Sequence, residues 1–157
     1  MRRYDFGADV ARSIAVSPAG SIVFVTGQSA GLGDDSDITT IAYGTATGSE
    51  LWISRYNGPG NGDGADGGSS IVVSPDGRSV FVAGQTAGTI SGEDYTTIAY
   101  DAFTGVGRWL RRYNGPGNGD DNALAIAISP DGGIAFVTGR SIGSTGTYDF
   151  ATLAYAA

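Results

Sequence analysis

The chain has 157 residues, 27 of them glycine, with no cysteine and no histidine; all nine basic residues are arginine. Disulfides, thiolate nucleophiles, Cys/His zinc centres, histidine bases, His-ligated haem, lysine Schiff bases and P-loop lysines are therefore excluded. A formal charge of −7 argues against nucleic acid or an anionic membrane as the main partner, because phosphate binding relies on clustered bases.

No apolar run approaches the ~20 residues of a membrane span. The opening Met1-Arg2-Arg3-Tyr4-Asp5 has no apolar stretch behind it, so no signal peptide is expected. Its Arg2-Arg3-Tyr4 matches Arg111-Arg112-Tyr113 further along. Next comes Ile14-Ala15-Val16, a short strand (strand A). Ser17-Pro18-Ala19-Gly20 reads as a tight turn, proline presetting φ and glycine free to take positive φ. Strand B, Phe24-Val25-Thr26-Gly27-Gln28, belongs to an apolar run that predicts burial on both faces. Thr39-Thr40-Ile41-Ala42-Tyr43 is strand C. The turn Thr45-Ala46-Thr47-Gly48 leads to strand D, Leu51-Trp52-Ile53-Ser54-Arg55-Tyr56.

The same set then returns. Ile71-Val72-Val73, Ser74-Pro75-Asp76-Gly77, Phe81-Val82-Ala83-Gly84-Gln85, Thr96-Thr97-Ile98-Ala99-Tyr100 and Trp109-Leu110-Arg111-Arg112-Tyr113 form a second unit. Ala125-Ile126-Ala127-Ile128, Ser129-Pro130-Asp131-Gly132, Phe136-Val137-Thr138-Gly139-Arg140 and Ala151-Thr152-Leu153-Ala154-Tyr155 form a third. The markers step by 57 and then 55 residues. No window has a helical period.

Short strands at even spacing, with one motif set per unit, predict an all-β fold: β-propeller blades of four antiparallel strands, three repeats per chain. A β-sandwich needs no such period, and a parallel β-helix would repeat at a shorter step. The units are residues 1–5 (a closing outer strand), 6–56, 57–113 and 114–157, the last lacking its outer strand. Three blades are too few to close a ring, which typically takes about 4–8. Either the chain assembles with copies of itself or it is part of a longer propeller. A head-to-tail homo-oligomer is expected, with Met1–Asp5 of one chain capping the third blade of the next. Six blades in a dimer fit the usual range better than nine in a trimer. The N-terminal strand lacks the tryptophan segment, which favours a fragment boundary there.

The loops carry the residues with chemistry to offer. Sorting the acids by loop places twelve of the sixteen on the face carrying the D-to-A and B-to-C loops. Asp34, Asp35, Asp63, Asp66, Asp94, Asp120 and Asp121 are the candidate ligand or cation groups there. Asn61, Asp63, Asn118 and Asp120 sit on glycine-rich loops of the kind that suits calcium, although neither loop has the EF-hand pattern. The plainer reading is a solvated acidic loop face; the sharper one is a surface for a cation, another protein or a glycan. Trp52 and Trp109 suggest either sugar-stacking platforms or inter-blade packing, and packing is the more usual use. The Gly-x-Gly spacings precede no helix and make no phosphate cradle.

The strings Leu51-Trp52-Ile53-Ser54-Arg55-Tyr56-Asn57-Gly58-Pro59-Gly60-Asn61-Gly62-Asp63 and Trp109-Leu110-Arg111-Arg112-Tyr113-Asn114-Gly115-Pro116-Gly117-Asn118-Gly119-Asp120-Asp121 resemble the bacterial SBBP-type β-propeller repeat. Phe-Val-Thr-Gly and Tyr148 to Tyr155 fit it too. The Ser-Pro-Asp-Gly turns and the opening Tyr4-Asp5-Phe6-Gly7-Ala8-Asp9 depart from it. The resemblance implies a propeller from secreted or cell-surface bacterial proteins, with no catalytic residues to carry over. A non-catalytic scaffold or interaction module is the expected function. A lectin-like or calcium-assisted binder is the alternative, and a propeller hydrolase or quinoprotein comes last, because near-identical repeats do not supply one unique reacting spot.

Overall fold

A computed structural model describes residues 5, 7–30, 36–60 and 66–157. Eleven strands follow in chain order: β1 (Asp9–Val16), β2 (Ile22–Ala30), β3 (Ser36–Gly44), β4 (Glu50–Tyr56), β5 (Gly67–Val73), β6 (Ser79–Ala87), β7 (Glu93–Asp101), β8 (Gly107–Tyr113), β9 (Asn122–Ile128), β10 (Ile134–Ile142) and β11 (Tyr148–Ala156). They form three separate antiparallel meanders, β1-β2-β3-β4, β5-β6-β7-β8 and β9-β10-β11. These are propeller-type blades, and the described residues contain no helix.

The turns follow from the sequence. In each Ser-Pro-x-Gly turn the glycine amide donates to the serine carbonyl, and Gly20, Gly77 and Gly132 take φ of 70°, 72° and 77°. The serine hydroxyl oxygen accepts the amide that begins strand B: Ile22 N at 3.0 Å, Ser79 N at 2.9 Å and Ile134 N at 2.9 Å. Asp76 and Asp131 reinforce this by accepting from Ser74 Oγ (2.6 Å) and Ser129 Oγ (2.5 Å), an addition that Ala19 cannot make.

The A strands begin earlier than their apolar runs suggested. Each carries a bulge near its start, leaving Arg12, Ser69 and Leu124 between paired neighbours. The reason lies in the Phe-Val-x-Gly motif. A Cβ on Gly27, Gly84 or Gly139 would come within 2.0 Å of the carbonyl oxygen of Val10, Gly67 or Asn122. Only glycine lets the bulged backbone approach that closely.

Two apolar layers hold the blades together. Phe24, Ile38, Ala42 and Trp52 of the first blade meet Ile71, Val80, Val82, Ile98 and Tyr100 of the second. Phe81, Ala83, Tyr95 and Ala99 on the opposite side of the second blade meet Ala123, Ile126, Ala135 and Val137 of the third. Full burial of a side chain such as Phe24 or Phe81 contributes about 1.5–3 kcal/mol. The middle blade is thus covered on both sides, as its strand B composition predicts. Strand B of the third blade is not: Phe136 is exposed, because no blade follows it among the described residues.

Both tryptophans pack between blades. Trp52 lies 5.9 Å from Phe24 and 6.1 Å from Tyr100 of the next blade, ring centre to ring centre. Trp109 repeats this with Phe81 at 5.9 Å and Tyr155 at 6.0 Å. The Trp52 indole N–H donates to Ala102 O at 3.0 Å.

Candidate functional site

Of the loop-face candidates, Asp34, Asp35, Asn61 and Asp63 lie outside the described residues. Of the others, Asp66 and Asp121 are buried, at 2% and 0% exposure. They occupy the same position in successive repeats and do the same thing. Asp121 Oδ2 accepts the Gly115 amide at 2.5 Å, and its Oδ1 accepts the Ile142 amide at 2.9 Å. Asp66 accepts the Gly58 amide on Oδ2 and the Ala87 amide on Oδ1, the latter at 2.9 Å.

The backbone of the same two aspartates reaches the other way. Asp66 N donates to Ser36 O at 3.0 Å, and Asp121 N to Glu93 O at 2.6 Å. Each residue therefore ties the C strand of one blade to the B strand of the next. Glycine lets the loop lie flat on that strand end: a Cβ on Gly58 would sit 2.7 Å from Thr86 Cβ, and one on Gly115 would sit 2.1 Å from Ser141 Oγ. Gly58 with Asp66, and Gly115 with Asp121, act as inter-blade clasps.

Asp94 is also buried. It pairs with Arg112 on the outer strand at 2.9 Å, and burial pushes its carboxyl above the ordinary range despite that partner. Arg112 extends to Ala87 O at 3.2 Å. The first blade has the matching pair, Arg55 with Asp37 at 3.1 Å. Asp120 is exposed and accepts the Glu93 amide at 3.1 Å. Asn118 has φ of 52°, accepts from Asn114 at 2.6 Å and donates to Ile90 O at 3.2 Å. Glu93 accepts from Asn122 Nδ2 at 2.5 Å. Among the described residues no three acids gather where a metal ion would fit. These acids bind the protein's own amides and guanidinium groups.

Two other surfaces stand out. The outer face of the third blade exposes Ile134, Phe136 and Phe150, the last at 97%. Phe150 stands where the sequence repeat places Ile38 and Tyr95, both 0% exposed. The opposite outer face, on the first blade, exposes Val10, Ile14 and Val16. A cleft of about 440 Å³ runs over Val10, Val25, Ile41 and Tyr43 there. Val25, Ile41 and Tyr43 correspond to Val82, Ile98 and Tyr100, which in the second blade pack on the first. The two outer faces are thus the two halves of the interface that the chain already builds twice internally. That three blades are too few to close a ring already implied two open faces. Sequence reasoning did not single out Phe150, although its signal was there: an aromatic in the column that holds Ile38 and Tyr95.

No family model matches the chain, and no curated protein does. Solved structures do resemble it. Hydrazine synthase of Kuenenia stuttgartiensis superposes with a TM-score of 0.58 at 16% identity, covering 79% of this chain and 35% of that one. A eukaryotic initiation factor gives 0.51 at 11% identity, covering 87% and 28%. A 6-phosphogluconolactonase-like protein from Bacteroides fragilis NCTC 9343 gives 0.50 at 17% identity, covering 93% and 39%. The chain spans roughly a third of the length of these proteins. At such identities the likeness concerns architecture alone, and it agrees with the three meanders: this chain has the blade architecture of propeller-type folds.

Proposed function

We propose that the chain is a non-catalytic β-propeller module, a scaffold that completes its ring by packing head-to-tail on a second copy. The observation that carries this is the pairing of the outer faces. The third blade offers the face that Phe24 and Phe81 form internally, and the first blade offers the face that receives it. A heterologous contact of this kind closes when the rotation fits, and two copies bring the blade number to six, inside the usual range. Burying such exposed apolar patches is the expected driving force.

The composition supports a scaffold over an enzyme. Among the described residues, the buried loop-face acids Asp37, Asp66, Asp94 and Asp121 are spent on amides and arginines in repeated positions. The same commitment leaves less support for calcium or a glycan on that face.

Light scattering across a range of concentrations tests the proposal. The expected mass is twice the 15.9 kDa of one chain. A stable species of one chain's mass at every concentration would overturn it.

A further inference from the structure

Among the described residues no strand pairs with the outer edge of β11, and the chemistry along that edge names an occupant. In the complete blades the outer strand does three things. Tyr113 pairs opposite Tyr95, with ring centres 5.6 Å apart. Arg112 pairs opposite Thr96 and reaches back to Asp94. Leu110 pairs opposite Ile98. The first blade does likewise with Tyr56 opposite Ile38, Arg55 opposite Thr39 and bonded to Asp37, and Ile53 opposite Ile41.

In the third blade the partners are present and, among the described residues, unmet. Asp149 holds the position of Asp37 and Asp94. It is exposed and has no ion-pair partner among the described residues, whereas both of its counterparts are buried against arginine. Phe150 holds the position of Ile38 and Tyr95. The edge therefore asks for a short strand reading apolar-x-Arg-Tyr. The sequence contains that pattern at Ile53 to Tyr56 and Leu110 to Tyr113, both already used, and once more at Met1-Arg2-Arg3-Tyr4.

We propose that Met1–Tyr4 of a second copy adds to the edge of β11 in one register: Tyr4 opposite Phe150, Arg3 opposite Ala151 with its guanidinium on Asp149, and Met1 opposite Leu153. This rests on the head-to-tail reading above and gives it a lock. Backbone pairing along a sheet edge supplies attraction without register. The Arg3–Asp149 pair and Tyr4 beside Phe150 fix the register together, because a slip of one residue brings Arg2 to the place of Arg3 only by carrying Tyr4 off Phe150. The charges are complementary, and the segment leads into β1, whose blade carries the face that packs on the third blade.

The chain lacks cysteine, which makes the test direct. Tyr4→Cys and Phe150→Cys chains, mixed in equal amounts and oxidised, are expected to yield covalently linked pairs. Separately, Arg3→Asp and Asp149→Arg are each expected to weaken the dimer about tenfold, and the two together in one chain to restore it. A wild-type dimer that neither charge reversal weakens, with no linked product from the mixture, overturns the strand lock and leaves face-to-face association standing. A wild-type monomer overturns both.

Discussion

Tyr95 and Phe150 occupy the same place in successive repeats, yet one is fully buried and the other is almost wholly exposed. Tyr95 has a following blade over it and an outer strand beside it. Its hydroxyl donates to Ala151 O at 3.3 Å, and burial, with Asp121, Tyr113 and Tyr155 nearby, pushes it up to about 12. Among the described residues Phe150 has neither neighbour. The difference lies in what stands next to the blade and not in the blade. A blade is only half of its own environment, so equivalent positions in successive repeats differ in energetic worth with what stands beside them.

The sharpest way to break that comparison is truncation. Tyr95→Ala is expected to cost about 3–5 kcal/mol, as for large buried aromatics. Phe150→Ala in the dissociated chain is expected to stay within about 0.5 kcal/mol of wild type. Urea unfolding at low protein concentration measures both. At concentrations where copies associate, Phe150→Ala is expected to weaken the assembly instead.

The clasps come next. Asp121→Ala leaves the buried amides of Gly115 and Ile142 without their acceptor, at about 1–3 kcal/mol for each unsatisfied group. The loss is expected to be the same with calcium or with a chelator. A midpoint that rises in excess calcium and falls for this variant alone would reassign the loop as a cation site.

Gly84→Ala sharpens the comparison between glycines. Its Cβ would meet the Gly67 carbonyl at 2.0 Å, and overpacking of this kind costs about 1–3 kcal/mol. Gly107 has open space around its Cβ position, so Gly107→Ala is expected to be near neutral by the same thermal melt.

The smallest effect is electrostatic. Asp101 accepts from Arg108 at 2.7 Å and from the Phe103 and Thr104 amides at 3.0 Å. These bonds, Arg108 first, hold its carboxyl down to about 2. A carboxylate depressed in the folded state stabilises above its unfolded value, near 3.8, and loses that contribution as pH falls toward 2. The group is solvent-exposed, so the effect is a few tenths of a kcal/mol. Asp101→Asn is expected to flatten the stability curve between pH 4 and pH 2 slightly, by acid-unfolding titration.

The repeat, the strand types and the turns were legible because they are local. Proline and glycine spacing in Ser17-Pro18-Ala19-Gly20 dictates its turn, and the apolar run through Phe24 signals burial. The inter-blade use of Trp52 and Trp109 followed from a general preference. The acids were harder to read. Asp66 and Asp120 look alike in sequence, both in Asn-Gly-rich loops, yet one is buried under two amides and the other faces solvent. Nothing local separates them, because the Ala87 amide that one of them reaches is 21 residues away.

The sequence by itself determined three near-identical blades, an acidic chain without cysteine, histidine or lysine, and an Arg-Tyr strand pattern with one copy to spare. Those follow from backbone preferences and residue chemistry within a single repeat. Only the tertiary structure decided that the glycine-aspartate loops clasp adjacent blades and that Asp149 and Phe150 stand exposed. Both depend on which backbone groups and faces meet across repeats, and burial is a property of those meetings.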